Sequence, residues 1–83
     1  MKTITWDEPK RLSNIEKHGY DFAVLDEAFF LAAVIVPVNA GRYLAIGRLA
    51  DGTVAVVFAY LGAEGLAVIS MRRADRNERR LLE

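Results

Sequence analysis

The sequence predicts an α+β domain, with one N-terminal strand and two helices, then an antiparallel sheet meander and a short C-terminal helix. Three observations carry this. Apolar residues recur at helical spacing through Leu12, Ile15, Phe22, Leu25, Ala28 and Phe29. From Leu31 the period shortens, and Val34-Ile35-Val36 is β-branched. Turn signals at Asn39-Ala40-Gly41, Asp51-Gly52 and Gly62-Ala63-Glu64-Gly65 then cut the apolar stretch into strands.

Each element has its own local cause. Ile4, between Thr3 and Thr5, suits a short first strand. Asp7 is an N-cap candidate, and Pro9 fits the first helical turn, where no amide partner is lost. Leu12 and Ile15 give this helix a narrow apolar stripe. Lys10, Asn14 and Lys17 fall on the opposite face, with His18 at its border. Gly19 suits the C′ position. Asp21 is expected to cap a second helix that buries Phe22, Leu25, Ala28 and Phe29 and turns Asp26 and Glu27 outward. Pro37 ends the next strand or marks a sheet edge. In the strand from Arg42 to Leu49, Leu44 and Ile46 share a face with Arg42 and Arg48, and Tyr43, Ala45 and Leu49 take the other. Asp51-Gly52 suits a tight hairpin. The apolar run Val54 to Tyr60 reads as a central strand covered on both faces, and Leu66 to Met71 as the last strand. Asp75-x-x-Glu78 is a capping-box pattern opening a helix too short to stand alone, so Leu81 and Leu82 are expected to dock.

At 83 residues and 53% apolar content, the chain reads as a single domain over residues 1–83 with a limited core. It has no cysteine and one histidine, which leaves no disulfide framework and no zinc site built on thiolates or imidazoles. No cofactor or metal is expected. The start, MKTITWDEPK, lacks a signal-peptide apolar stretch, and the longest apolar run, Ala28 to Val36, is too short to span a bilayer; a cytoplasmic protein is expected. Net charge is zero but unevenly placed. Residues 1–20 carry four Lys/Arg and three acids, residues 21–71 two and five, and residues 72–83 five and three. General nucleic-acid binding, which usually needs a strongly basic domain, is disfavoured, so any RNA contact must be local, through a few phosphates.

Two terminal runs stand out. The first is Trp6-Asp7-x-x-Lys10-x-x-x-Asn14-x-x-Lys17-His18-Gly19, followed by Phe22 and Ala28-Phe29. The second is Val68-Ile69-Ser70-Met71-Arg72-Arg73-Ala74-x-x-x-Glu78-Arg79. With Arg42, Ile46-Gly47 and Val56-Val57 between them, these runs resemble the BrnT family of toxins from type II toxin–antitoxin systems along essentially the whole chain. The resemblance implies a RelE-like fold and a metal-independent endoribonuclease that arrests translation. It implies neutralisation by a BrnA-like DNA-binding antitoxin, contact with operator DNA only through that antitoxin, and assembly as a homodimer or a toxin–antitoxin heterotetramer. The alternative is a non-catalytic protein-binding module of the same fold, acting on a protein target or as an antitoxin-bound co-repressor. The chain departs from the family pattern at Ala40, Ala59-Tyr60-Leu61, Leu66-Ala67 and Leu81-Leu82, where charged or aromatic residues are common. Those departures remove candidate phosphate and base contacts and leave the fold intact.

Metal-free RNA cleavage needs a base for the 2′-hydroxyl, an acid for the leaving 5′-oxygen, and cations for the charge on phosphorus. The resemblance makes Arg72, Glu78, His18 and Lys17 the catalytic candidates, with Lys10, Arg42, Arg48 and Arg73 as RNA contacts. Adjacent strand residues face opposite ways, so one of Arg72 and Arg73 reaches a pocket. Arg72, in phase with Leu66, Val68 and Ser70, is the expected phosphate clamp. Glu78 reads either as base or orienter of Arg72, or as the capping-box carboxylate. His18 reads either as the acid or base, imidazole being the side chain that exchanges protons near neutrality, or as a helix-ending cation. Trp6, Tyr43 and Tyr60 read as core or interface, and Arg76, Arg79 and Arg80 as a solvated face or an antitoxin contact. The apolar strand Leu31 to Val36, or the last helix through Leu81 and Leu82, is expected to be covered by antitoxin or a second copy.

Overall fold

Strand β4, Gly52–Leu61, runs through the middle of a five-stranded sheet, as its near-continuous apolar sequence requires. The structure, a computed structural model, describes residues 2–83. Along the chain, β1 (Thr3–Trp6) and α1 (Glu8–His18) precede a 3₁₀ turn at Phe22–Val24 and α2 (Glu27–Ala32). Then come β2 (Val34–Pro37), β3 (Tyr43–Leu49), β4, β5 (Gly65–Arg73) and α3 (Arg76–Arg80). The sheet order is β1-β5-β4-β3-β2. Strands β2 to β5 form the antiparallel meander, and β1 adds to it in parallel, with Thr3 opposite Gly65 and Trp6 opposite Val68. The sheet is therefore mixed, a feature that the local pattern of β1 does not encode.

The segments before β2 cover one face of the sheet. Phe22, Leu25 and Phe29 bury against Ala45, Val54, Val56, Phe58, Leu66, Val68 and Met71. On the other face Leu82 packs beside Leu44 over Ile46, Ala55 and Ala74, while Leu81 stays exposed. Docking of the C-terminus thus rests on one leucine of the pair. Tyr43, Ala45 and Leu49 do face the larger core, opposite Leu44 and Ile46. Strand β2 is a sheet edge, with Leu31 exposed just before it.

Four expectations are corrected. The second helix is broken in two. Asp21 accepts from the Ala23 amide and caps only the 3₁₀ turn; Leu25 is extended, and Asp26 then accepts from the Phe29 amide as the cap of α2. An aspartate side chain competes for helical amides in this way and restarts the helix. Ala28 is consequently exposed, and Phe30 packs at the core instead. On α1, Leu12 is 55% exposed while Asn14 is 6% exposed, so the helix is rotated relative to its apolar stripe. Arg11 bridges Glu8 on the same helix at 2.7 Å and ties α1 to Asp21 at 3.0 Å.

The fourth correction concerns Arg72. Phe58 pairs with Val68, but Val57 pairs with Ser70, so Ile69 is an extra residue in β5. A bulge reverses the alternation beyond it. Leu66, Val68 and Met71 face the large core. Ser70 and Arg72, opposite Val57 and Ala55, face the other side.

Close packing sets one position strongly. A Cβ built on Gly47 would lie 2.7 Å from Cε1 of the buried Phe29 ring. Gly47→Ala is expected to cost roughly 1–3 kcal/mol, the usual scale of overpacking. A denaturant titration checks this as a lower midpoint at unchanged slope.

Candidate functional site

The site begins with how α1 is capped. Asp7 accepts from the Lys10 amide, and Gly19, in the left-handed conformation at φ 75°, closes the helix with its N–H donated to Ile15 O. These caps fix an 11-residue helix in which Lys10, Asn14, Lys17 and His18 recur along one side. This side meets β5. Lys10, Ser13, Asn14, Lys17 and His18 line an open groove of about 250 Å³ with Ile69 and Ser70. Among the described residues, Lys10, Lys17 and His18 form no salt bridge. The groove therefore carries two lysine ammonium groups without an ion-pair partner, and an imidazole, around two serine hydroxyls. His18 lies in the last turn of the helix as well as on the groove lining.

Asn14 joins the two walls of the groove. Its Nδ2 donates to Met71 O at 2.8 Å and to Tyr20 O at 3.0 Å, and its Oδ1 accepts from Met71 N at 3.0 Å.

Arg72 lies one pleat repeat beyond Ser70, about 7 Å along the strand on the same face. Its guanidinium grips Glu78 with two parallel bonds, Nη1 to Oε1 at 2.7 Å and Nη2 to Oε2 at 2.8 Å. Nη1 also donates to Arg73 O. The N–H on Nε and one on Nη2 are left without a protein acceptor among the described residues, and the side chain is 40% exposed. Arg72 thus keeps donors for an incoming anion.

Glu78 performs both structural tasks the sequence allowed. Its Oε1 accepts from the Asp75 amide while Asp75 accepts from the Glu78 amide, a complete capping box at the start of α3. The same carboxylate orients Arg72. The Arg72 hydrogen bonds, aided by the Asp75 amide, hold its carboxyl below the ordinary glutamate value of 4.5. Arg72 is in turn held more firmly protonated by Glu78. A carboxylate stabilised as an anion is a poor proton acceptor.

The other candidates lie elsewhere. Arg73 is on the opposite face of β5 from Arg72, by a recess shared with Tyr20, Asp51, Thr53 and Arg79. Arg48 donates to Leu82 O at 3.3 Å and lies two strands from β5. Arg42 sits in the β2–β3 loop, where Val38 N donates to its carbonyl, and does not line the groove. Trp6 packs edge-on to Phe22, and its indole Nε1 donates to Glu8, which leaves it a core-edge residue. Sequence reasoning missed Ser13, because a serine on an exposed helical position carries no local signal. It missed the buried role of Asn14 for the reason given by the helix rotation.

The family model for "Ribonuclease toxin, BrnT, of type II toxin-antitoxin system" matches residues 6–78, from Trp6 through Glu78. The crystal structure of the Brucella abortus ribonuclease toxin BrnT superposes with a TM-score of 0.85 at 49% identity, covering 92% of this chain and 100% of that one. Among curated proteins none matches. The matched span includes both walls of the groove and the Arg72–Glu78 pair, and the chain belongs to the BrnT family of ribonuclease toxins of type II toxin–antitoxin systems.

Proposed function

We propose that the chain cleaves RNA at the groove between α1 and β5, without a metal ion, and that Arg72, Lys17, His18 and Glu78 do the work. The observation that carries this is the grouping of Lys10, Lys17 and His18 on one groove whose β5 wall leads directly to the Arg72–Glu78 pair. A phosphodiester laid across Ser70 would meet Lys17 on one side and the open donors of Arg72 on the other. The 2′-oxygen attacks phosphorus in line, its proton is removed, and the 5′-oxygen leaves with a proton, giving a cyclic phosphate. His18 exchanges one of these protons, and solvent in the open groove exchanges the other. Lys17 and Arg72 stabilise the charge on the phosphoryl oxygens. Lys10 extends the cationic track, with Arg48 and Arg73 as outlying contacts for longer RNA and Arg42 as a more distant one.

Glu78 acts in this scheme as the orienter of Arg72. Glu78→Gln keeps a capping-box side chain, since glutamine serves at that position, but it replaces the ion pair by a weaker bond. Cleavage in the presence of EDTA is expected to continue in the wild type and to fall by about tenfold in Glu78→Gln. The pH behaviour follows from the lowered carboxyl. The pair contributes stability fully above about pH 4.5 and loses it as pH falls through the lower folded value. Wild-type cleavage should therefore show no loss from Glu78 protonation between pH 8 and about 5. If EDTA abolished wild-type cleavage, or if Glu78→Gln abolished it as completely as loss of a proton carrier does, this assignment would fail.

Translation arrest, a BrnA-like antitoxin, operator binding through that antitoxin, a homodimer or heterotetramer, RelE-like ancestry of the fold and a cytoplasmic setting are all in keeping with a type II toxin. Among the described residues no helix is long and apolar enough to cross a membrane. Family and structural neighbour are both ribonuclease toxins, which favours catalysis over a purely protein-binding module.

A further inference from the structure

We propose that Asn14 is the positioning residue that holds the two halves of this site in register; the inference rests on the site reading above. The parallel pairing of β1 ends at Trp6 opposite Val68, so β1 leaves the outer edge of β5 beyond Val68 unpaired. Directly after that point the bulge at Ile69 reverses the side-chain alternation and turns Ser70 and Arg72 to the other face. On that edge the Met71 main-chain N–H and C=O have no strand partner and must be satisfied in another way. The Asn14 carboxamide takes the place of a neighbouring strand. Oδ1 accepts from Met71 N and Nδ2 donates to Met71 O, so both main-chain groups between Ser70 and Arg72 are engaged by one side chain. The remaining Nδ2 hydrogen goes to Tyr20 O, which anchors the chain just past the helix cap. The residue is 6% exposed, and no buried side-chain polar atom among the described residues lacks a partner.

This clamp has a functional consequence. Lys10, Lys17 and His18 ride on the helix that carries Asn14, while Ser70 and Arg72 flank the residue that Asn14 grips. Among the described residues, the direct hydrogen bonds between α1 and β5 run through this carboxamide. Asn14 does not need to touch RNA to matter: it sets the distance between the α1 cations and Arg72, and hence whether one phosphate can meet both.

The test is a cycle of folded variants assayed for RNA cleavage at saturating substrate: Asn14→Ala, Lys17→Ala, Asn14→Ala with Lys17→Ala, and Arg72→Ala. Asn14→Ala is expected to slow cleavage by about 10- to 100-fold, the scale of a misplacement near 1 Å. The salt dependence of RNA binding should stay the same, because every cation is retained. In the Lys17→Ala background the same change should cost less than about threefold, because residues that act as a unit are not additive. A folded Asn14→Ala protein that cleaves like the wild type, or a loss that multiplies fully with that of Lys17→Ala, would overturn the proposal. If Lys17→Ala and Arg72→Ala alone leave cleavage unchanged, the site itself is misassigned and the inference falls with it. Hydrogen exchange on the wild type serves if the variants do not fold. The Met71 amide should be protected like that of Val56 in the central strand, and exchange as fast as an open edge amide would remove the clamp.

Discussion

Arg72→Ala should lower RNA cleavage by about 10²–10³ while the protein remains folded. That magnitude is typical for removing one preorganised donor from a charge-stabilising site. Folding should survive because the side chain is 40% exposed and the Asp75 cap of α3 does not depend on it. Glu78 is the residue left at risk, since its side chain is 13% exposed and loses its cation. It keeps the Asp75 amide, however, and can take water on its open side. Arg72→Lys should recover only part of the activity, because an ammonium cannot reproduce the two parallel bonds to Glu78 while presenting donors to a phosphate. Steady-state cleavage of a labelled RNA, with circular dichroism as the check on folding, measures this. Cleavage within threefold of wild type in folded Arg72→Ala would place the chemistry elsewhere.

His18→Ala is the second large effect, a loss of about 10²–10⁴ in the cleavage rate constant, the usual contribution of a general acid or base. The residue is exposed at the end of α1, so its removal opens no cavity. A helix-ending role alone would leave the rate per folded molecule unchanged and would alter only stability, by roughly 0.3–1 kcal/mol. The pH–rate profile separates the two. Loss of one limb in His18→Ala supports proton transfer, and an unchanged profile with an unchanged rate supports the capping role. Binding of uncleavable RNA should weaken little, because Lys10 and Lys17 remain.

Elements written in local chemistry were legible in the sequence. Asp7 and Gly19 bound α1, Asp75 and Glu78 close a capping box, and the apolar run of β4 places it at the sheet centre. Features fixed by tertiary contact were not legible. The bulge at Ile69 falls where the pairing of β5 with β1 ends, and nothing in Val68-Ile69-Ser70 marks it. Arg72 was therefore expected to share a face with Leu66 and Val68, although it faces away from them. Asn14 reads as polar and so as outward, and only the unpaired edge of β5 explains its burial. The break before α2 had a signal in Asp26, five residues after Asp21, but a continuous apolar periodicity concealed it. For the site, the residue types of both terminal runs were visible. Their junction was not, because it depends on a 57-residue separation closed by one carboxamide.

In the proposed function RNA lies across α1 and β5, between Lys17 and Arg72. Titration of the isotope-labelled chain with a 2′-O-methyl oligoribonucleotide, which cannot be cleaved, tests it most directly by backbone amide shifts. The expected perturbations gather at Lys10, Lys17, His18, Ser70 and Arg72. Shifts gathered instead at the apolar recess lined by Phe30, Leu31, Phe58 and Tyr60, with the α1–β5 groove silent, would place RNA binding elsewhere on the protein.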